Sequence, residues 1–246
     1  MTGIILIHGL AEHCGRYADF VARATARDIK VFPFDLVGHG THQSPRGDAK
    51  SLSQILGELD NFVQQTRAEN PTMRLVIFGH SFGGQIAAVY MGRGGNHATE
   101  ISALVLSNPL LDRPRRKTAL LNFVPHKMLG FIKFKKRHSE SAEMLAVSHA
   151  DPLACKYISL RLIGIAFKDG IRAVNRHIKT VACPVLCVAG KLDPLVSHIK
   201  THKQFDRLGS TNKTFKLYED GKHRLVQNAG SDKRIDDILD WVMVQS

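Results

Sequence analysis

A serine within a glycine-rich turn is the residue of this sequence most clearly equipped for chemistry. Ser81 lies in the stretch G-H-S-F-G-G at 79–84, which follows a predicted strand at 75–78 and precedes a predicted helix at 85–90. Glycines two positions before and after it permit a sharp turn, which would project the hydroxyl above the sheet and set its backbone at a helix N-terminus. The pattern predicts a nucleophile, and the alternative is an ordinary glycine-rich turn between strand and helix.

An acid and a base follow this serine along the chain. A serine hydroxyl is a poor nucleophile unless a neighbouring base takes its proton, and in sites of this type the acid and then the histidine come later in sequence. Asp193 comes shortly after the predicted strand 185–189, and His223 shortly after the predicted strand 214–218. Loops at the carboxyl ends of parallel strands meet at one edge of the sheet. The sequence therefore predicts Asp193 as the orienting acid and His223 as the general base.

Other residues compete for these two roles. Asp112 and Asp220 are alternative acids, although Asp220 is also explained as a turn residue. His198 and His202 are the other histidines beyond Asp193. Their spacing of four residues is typical of the solvated face of a surface helix, which favours His223 as the base.

Acyl transfer also needs hydrogen-bond donors for the oxyanion of its tetrahedral intermediate. One should be the backbone N–H of Phe82, directly after the nucleophile, and the other should come from the loop after an early strand. The stretch I-H-G-L at 7–10 has that form, which makes the N–H of Leu10 the second candidate. Three histidines beside glycines are expected to pack and form hydrogen bonds rather than act as bases: His8, His39 and His80.

The elements that must position these residues alternate between strands and helices. The predicted strands are nearly continuous apolar runs, which indicates that they are buried on both faces. This is typical of a mostly parallel sheet flanked by helices, an α/β fold. Amphipathic helices are predicted from Ser51, with Gln54 completing a capping box, and from Asp232 at the end of the chain. The predicted strands are 4–7, 31–34, 75–78, 103–106, 185–189 and 214–218.

The alternation stops between about 111 and 182, where the pattern is helical, basic and without clear strands. We expect a core made of 1–110 and 183–246, with 111–182 inserted as a helical cap over the strand ends. The chain has a net charge of +12, and much of it is local. Nine Lys or Arg and no Asp or Glu lie in the stretch from Arg113 to Arg137. The stretch F-I-K-F-K-K-R at 131–137 is typical of segments that contact anionic lipid surfaces, and a solvated cap face is the alternative.

The start of the chain predicts neither a membrane span nor a secretion signal. The apolar run 4–7 is far shorter than the roughly 20 residues of a span, and no basic region or small-residue cleavage site surrounds it. The composition, 43% hydrophobic and 23% charged, is typical of globular proteins. We therefore expect a cytoplasmic chain, or one already trimmed, with peripheral membrane contact through the cap.

The cysteines predict neither a disulfide framework nor a metal site. The four cysteines are few and scattered. Cys183 and Cys187 could be imagined as metal ligands, but 184–189 predicts a buried strand, in which a free cysteine is a small apolar residue. We expect no metal ion and no organic cofactor. Because the basic patch is confined to the insertion, we expect no nucleic-acid partner either.

Five stretches resemble the monoacylglycerol lipase and lysophospholipase branch of the α/β-hydrolases, which is sometimes grouped with serine aminopeptidases. The most specific is the first, which has the form H-G-x-x-E-H-x-x-R-Y. The stretches are H-G-L-A-E-H-C-G-R-Y at 8–17, D-L-V-G-H-G at 35–40, G-H-S-F-G-G at 79–84, A-D-P-L at 150–153, and 184–196. They span nearly the whole chain.

The resemblance implies an α/β-hydrolase fold, no cofactor, and hydrolysis of a monoacyl lipid ester such as a monoacylglycerol. It implies the triad Ser81, Asp193 and His223, with the Leu10 and Phe82 amides as the oxyanion hole. It also implies an apolar acyl tunnel in the cap, for which suitable residues are Leu120, Leu121, Phe123, Met128, Leu129, Phe131 and Ile132. The chain departs from the family where R-L follows His223 without the usual acidic residue and where L-V precedes Gly38.

Other functions remain compatible with the sequence. A general short-chain carboxylesterase, a lysophospholipase, a perhydrolase or an aminopeptidase could use the same triad. A non-catalytic binding protein could use the same fold. The intact triad favours an enzyme over a binding protein.

Overall fold

The computed structural model describes residues 1–113, 130–133, 150–227 and 230–245. Within these ranges, six strands form one sheet in the order β2-β1-β3-β4-β7-β8, and every neighbouring pair is parallel. Two further strands, β5 and β6, form a separate antiparallel pair. The bounds are β1 Thr2–Ile7, β2 Ile29–Phe34, β3 Arg74–His80, β4 Ile101–Ser107, β5 Phe131–Lys133, β6 Tyr157–Ser159, β7 Val185–Gly190 and β8 Lys213–Tyr218. The mostly parallel sheet predicted from the apolar runs is confirmed.

Helices cover both faces of the large sheet. On one face, β1 and its neighbours pack against α2, α3 and α5, and on the other they pack against α1 and α7. The bounds are α1 Ala18–Thr25, α2 Leu52–Glu69, α3 Phe82–Arg93, α4 Leu160–Gly164, α5 Gly170–His177, α6 His198–Asp206 and α7 Asp232–Val244, with a π-helical segment at Ile165–Asp169 between α4 and α5. Within the described ranges, no helix is both long and apolar enough to cross a membrane.

Alternate residues of each central strand enter opposite cores. In β1, Ile5 and Ile7 belong to the core beneath α2 and α3, whereas Ile4 and Leu6 belong to the core beneath α1 and α7. Successive side chains of a strand point to opposite faces of the sheet, so a strand covered on both faces must be apolar throughout. Pro33 is tolerated in β2 because this strand lies at the edge of the sheet, where a missing N–H breaks no central ladder.

The two amphipathic helices begin where the sequence predicts. The Ser51 hydroxyl accepts a hydrogen bond from the backbone N–H of Gln54 (3.1 Å) and caps α2. The Gln54 side chain accepts from the N–H of Lys50 (2.9 Å) rather than from that of Ser51, so the capping box is displaced by one residue. The apolar stripe of α7 is buried at all four predicted positions: Ile235, Ile238, Leu239 and Val242.

The described part of the insertion contains strands that the sequence did not predict. The expectation of a region without strands is wrong at β5 and β6, which pair antiparallel over three residues each. A strand of three residues is too short to show an alternating apolar pattern, and the two paired strands are far apart in sequence. The two-stranded ribbon of β5 and β6 is fixed to the core, because the hydroxyl of Ser159 donates to Asp48 (2.5 Å) and the guanidinium of Arg161 pairs with the same carboxylate.

Much of the predicted cap surface lies outside the described residues. Of the nine clustered cations, only Arg113 and Lys133 are described, and of the seven predicted tunnel residues only Phe131 and Ile132 are described. The others outside the described ranges are Arg115, Arg116, Lys117, Lys127, Lys135, Lys136 and Arg137 among the cations, and Leu120, Leu121, Phe123, Met128 and Leu129 among the apolar residues.

Candidate active site

Ser81 occupies a tight turn between β3 and α3. Its backbone has φ 52° and ψ −112°, a region that residues with a side chain rarely adopt. The turn is held on both sides, because the Ser81 N–H donates to the Ser107 carbonyl (3.0 Å) and the Ser81 carbonyl accepts from the Leu110 N–H (2.9 Å). A Cβ at Gly83 would collide with the His8 carbonyl oxygen. Glycine at that position lets α3 start against the end of β1, with the Ser81 side chain at the sheet edge.

His223 and Asp193 meet Ser81 at this edge. The Ser81 Oγ lies 3.0 Å from Nε2 of His223, and Nδ1 of His223 lies 2.6 Å from Oδ2 of Asp193. Asp193 follows β7 and His223 follows β8, so loops after two neighbouring strands bring the pair together. Asp193 is 1% exposed and His223 is 7% exposed. The three side chains thus form a continuous hydrogen-bonded row that is shielded from solvent at its acidic end.

The Asp193 carboxylate is stabilised in its ionised form. Burial opposes ionisation, but His223 and the N–H groups of Val196 and Leu195 outweigh it and lower the pKa of Asp193. Those two N–H groups donate to Oδ1 at 3.0 and 2.7 Å, which leaves Oδ2 for His223. A fixed carboxylate of this kind holds the imidazole in one tautomer, with Nδ1 protonated and Nε2 able to accept the serine proton.

The structure places the competing acids and bases elsewhere. Asp220 has an 80% exposed side chain and pairs with Arg234 at 2.6 Å. Asp112 lies 3.8 Å from Lys200. His198 and His202 lie on α6, and the ring of His202 stacks on Phe215. Of the candidates weighed from the sequence, Asp193 and His223 are therefore the ones brought to Ser81.

The loop after β1 approaches Ser81 from the opposite side. A Cβ at Gly9 would lie only 3.3 Å from that of Ser81, so the backbone leading to Leu10 passes directly beside the nucleophile. Phe82 is the first residue of α3, and N–H groups in the first turn of a helix have no partner within the helix. The predicted pair of donors, Leu10 and Phe82, thus lies on the two backbone segments that border Ser81.

The three other histidines near the glycine-rich turns are buried and hydrogen-bonded. Nδ1 of His8 donates to the Gly9 carbonyl (2.7 Å), while its Nε2 accepts from the Leu36 N–H (3.0 Å), so the ring is neutral. Burial lowers the pKa of His39 to about 3 and that of His80 to about 4. The His80 ring lies 4.8 Å from the His223 ring and adds no positive charge there near pH 7.

Glu12 is a residue of this site to which the sequence analysis gave no role. Its carboxylate is 2% exposed and accepts from the Gly9 N–H and from the Tyr17 hydroxyl, both at 2.7 Å. Arg224, next to His223, lies 3.6 Å away. Burial raises the pKa of Glu12, but His80, Arg224 and the other partners outweigh it and hold the pKa well below its usual range. Glu12 therefore links the loop that carries Leu10 to the loop that carries His223.

Asn108 makes a second link that sequence reasoning missed. Its side-chain oxygen accepts from the Gly190 N–H (2.8 Å), and its side-chain nitrogen donates to the carbonyls of Lys222 (2.9 Å) and His223 (2.7 Å). The backbone of Asn108 has φ 42°, which asparagine tolerates better than most residues. One side chain after β4 thereby sets the spacing between the Asp193 loop and the His223 loop.

Replacing Glu12→Gln is expected to reduce the free energy of unfolding by about 3 kcal/mol at pH 7, because buried Arg224 loses its nearby negative charge. Since the folded pKa of Glu12 is depressed, its stabilisation is present above the unfolded pKa of roughly 4.3 and declines below it. Urea unfolding should therefore give a smaller difference between variant and wild type at pH 3 than at pH 7. Glu58→Gln, at a partly exposed pair with His42, is the control and should cost under about 1 kcal/mol. A difference that does not depend on pH would contradict this assignment.

The described residues show no grouping suited to a resident metal ion. No cluster of three or more His, Cys, Asp or Glu side chains within those ranges could hold one. All four cysteines are free thiols, and Cys187 is buried in β7. Burial raises the pKa of the half-buried Cys183 to about 11, so it stays a neutral thiol.

The parallel sheet, the strained Ser81 turn and the Ser81, His223 and Asp193 row define an α/β-hydrolase. The sequence profile of the serine aminopeptidase S33 family matches residues 2–229, and the chain belongs to this family. The α/β-hydrolase fold and the family resemblance predicted from the sequence are confirmed.

Known proteins resemble the chain over most of its length. It is 29% identical to monoglyceride lipase of Rattus norvegicus over 228 residues, which cover 90% of this chain and 75% of that protein. It is 26% identical to monoacylglycerol lipase of Mycolicibacterium smegmatis, over 98% of this chain and 87% of that protein. The crystal structure of Paleococcus ferrophilus monoacylglycerol lipase superposes with a TM-score of 0.84 at 23% identity, covering 99% of this chain and 95% of that one. A soluble variant of Saccharomyces cerevisiae monoglyceride lipase, bound to a substrate analogue, gives a TM-score of 0.89 at 20% identity, covering 100% and 87%.

Proposed function

We propose that this chain is a serine hydrolase that cleaves esters of monoacyl lipids, monoacylglycerol foremost, through an acyl-enzyme on Ser81. The observation that carries the proposal is the row of hydrogen bonds from Ser81 Oγ to His223 (3.0 Å) and from His223 to Asp193 (2.6 Å). The names of the rat and mycobacterial relatives support the monoacylglycerol class of substrate.

In the first half of the reaction, the Ser81 Oγ attacks the ester carbonyl carbon while Nε2 of His223 takes the hydroxyl proton. The ionised Asp193 stabilises the imidazolium that forms, because its carboxylate is buried beside Nδ1. The N–H groups of Leu10 and Phe82 donate hydrogen bonds to the carbonyl oxygen as negative charge develops on it. The tetrahedral intermediate collapses as His223 gives its proton to the leaving alcohol, which leaves the acyl group on Ser81.

In the second half, His223 removes a proton from water, and the resulting hydroxide attacks the acyl carbon. The same two N–H groups donate hydrogen bonds to the second oxyanion, and the fatty acid leaves as His223 returns the proton to Ser81. No metal ion or organic cofactor takes part. Hydrogen bonds already hold Asp193 and His223 in place, so little rearrangement of these two residues is needed at each step.

Hydrolysis of p-nitrophenyl esters from acetate to palmitate, together with 1-monoacylglycerol and lysophosphatidylcholine, tests the substrate class. We expect the highest kcat/KM on medium or long monoacyl chains. Activity confined to short esters would reduce the function to a general carboxylesterase. Absence of activity on the whole series would favour a binding protein with the same fold.

We also propose that the insertion 111–182 covers the site as a lid and brings the chain to anionic membrane surfaces from the cytoplasm. The ribbon of β5 and β6 supports this, because Phe131 and Tyr157 are 51% and 54% exposed and Lys133 lies beside them. Exposed apolar side chains next to cations suit the boundary between lipid headgroups and acyl chains.

Vesicle sedimentation tests the membrane proposal. Binding should require phosphatidylserine and weaken at high salt, because screening shortens the reach of surface charges. Phe131→Ser should weaken binding several-fold, whereas Met243→Ser, at a similarly exposed (52%) residue on α7, should leave it unchanged. Binding that is indifferent to both salt and anionic lipid would argue against the electrostatic contribution.

A further inference from the structure

A cationic cavity is lined by residues that have no part in the proposed reaction. Its volume is about 340 Å³, within the range of small-molecule sites of roughly 300–1,000 Å³. Among the residues that the structure describes, its lining holds three cations, Arg113, Lys168 and Arg172, the amides of Asn175 and Gln204, and one carboxylate, Asp112.

Within the described part of the cavity lining, cations outnumber carboxylates. Among the residues that the structure describes, no carboxylate forms an ion pair with Arg113, Lys168 or Arg172. Lys200 lies 3.8 Å from Asp112, so the one lining carboxylate is already offset by a fourth cation. The described part of the lining therefore concentrates positive charge, which suits an anionic ligand.

Lys168 and Arg172 are held on one rigid surface. They are four residues apart across the junction of the π-helical segment and α5, a spacing that places side chains on the same face of a helix. The Lys200 ammonium donates to the Arg113 carbonyl (3.1 Å) and fixes the opposite wall. Such an arrangement of guanidinium and ammonium groups matches the oxygens of a phosphate group.

Two segments lead from the cavity wall to the residues around the nucleophile. Leu110 donates to the Ser81 carbonyl, and Asp112 follows only two residues later, so their Cα atoms are at most about 7 Å apart. On the other side, α5 touches α3 where Gly170 meets the side chain of Gln85, one turn beyond Ser81. Two parts of the cavity wall, the segment after β4 and α5, thus belong to elements that also contact Ser81 or its helix.

We propose that this cavity binds a phosphate monoester, so that the enzyme accepts monoacyl lipids with a phosphate on the glycerol as well as neutral ones. The acceptance of such lipids as substrates rests on the proposed function, whereas binding of the phosphate group does not. Arg113, Lys168 and Arg172 hold the phosphate oxygens, and the ester of the same molecule extends toward Ser81.

Calorimetric titration of the Ser81→Ala variant tests binding without turnover. The probes are 1-hexanoylglycerol 3-phosphate, 1-hexanoylglycerol and inorganic phosphate. We expect the phosphate-bearing lipid to bind about tenfold more tightly than the neutral one, a preference that high salt reduces. Inorganic phosphate should compete with the phosphate-bearing lipid. Inorganic phosphate that binds the cavity without any preference between the lipids would identify free phosphate as the ligand and overturn the headgroup assignment.

A charge-matched pair of double variants locates the site. Adding Lys168→Ala and Arg172→Ala to the Ser81→Ala variant should abolish the preference for the phosphate-bearing lipid. Adding Arg176→Ala and Lys203→Ala instead removes the same charge from exposed positions outside the cavity lining and should preserve the preference. Equal binding of the two lipids, or a preference that survives the cavity variant, would overturn the proposal. If the wild type hydrolyses neither lipid but the preference depends on Lys168 and Arg172, the proposed function fails and the phosphate site stands.

Discussion

The Ser81→Ala variant is expected to lose at least about 10⁴-fold in kcat/KM for ester hydrolysis while it keeps its fold. The hydroxyl is the group that forms the acyl bond, so its removal leaves only the oxyanion donors and substrate binding to act on the ester. Alanine meets the same backbone strain as serine at φ 52°, and the turn keeps its hydrogen bonds to Ser107 and Leu110. Thermal unfolding should therefore differ little from that of the wild type.

Initial rates on a p-nitrophenyl ester measure this loss, with circular dichroism to follow unfolding. Ser53→Ala removes a hydroxyl from the exposed face of α2 and is the matched control. It should retain wild-type rates. Substantial esterase activity in Ser81→Ala would remove Ser81 from the role of nucleophile and overturn the proposed acyl-enzyme mechanism.

Replacing Asp193→Asn should lower kcat by about 10⁴-fold, since an asparagine amide can hold the imidazole in the wrong tautomer and supplies no negative charge to the imidazolium. The lowered pKa of Asp193 means that this carboxylate stays ionised through the neutral and mildly acidic range. The loss in the variant should therefore be similar at pH 6 and pH 8.

Asp220→Asn provides the control for this second prediction. Asp220 lies three residues before His223 but faces solvent and pairs with Arg234 across a surface contact. Its replacement should change kcat less than about twofold, in keeping with the small contribution of exposed ion pairs. A large loss in Asp220→Asn together with normal rates in Asp193→Asn would reverse the assignment of the acid.

The features that the sequence predicts well are those written in local patterns. The apolar runs identify all six strands of the large sheet, and the bounds differ by only a few residues, as in Arg74–His80 against the predicted 75–78. The stripe of α7 and the cap at Ser51 are equally local. Because loops at the carboxyl ends of parallel strands meet at one edge of the sheet, the meeting of Asp193 and His223 with Ser81 could also be predicted.

The features that escaped prediction depend on contacts between distant segments. Glu12 is a site residue because it meets Arg224, and the pairing of these two residues has no signature at either position alone. Asn108 matters because three loops converge on one amide. The ribbon of β5 and β6 consists of two three-residue strands, which are too short for a period to be visible.

The large sheet is built from two parts of the chain that lie far apart in sequence, and this affects how the enzyme folds. Ser81 follows β3 in the first part of the chain, while Asp193 and His223 follow β7 and β8, and the two parts join where β4 pairs with β7 across the whole insertion. Closing so long a loop is entropically costly, and contacts between such distant segments form slowly. During refolding, helical structure should therefore appear before esterase activity, and the return of activity would time the joining of the two halves.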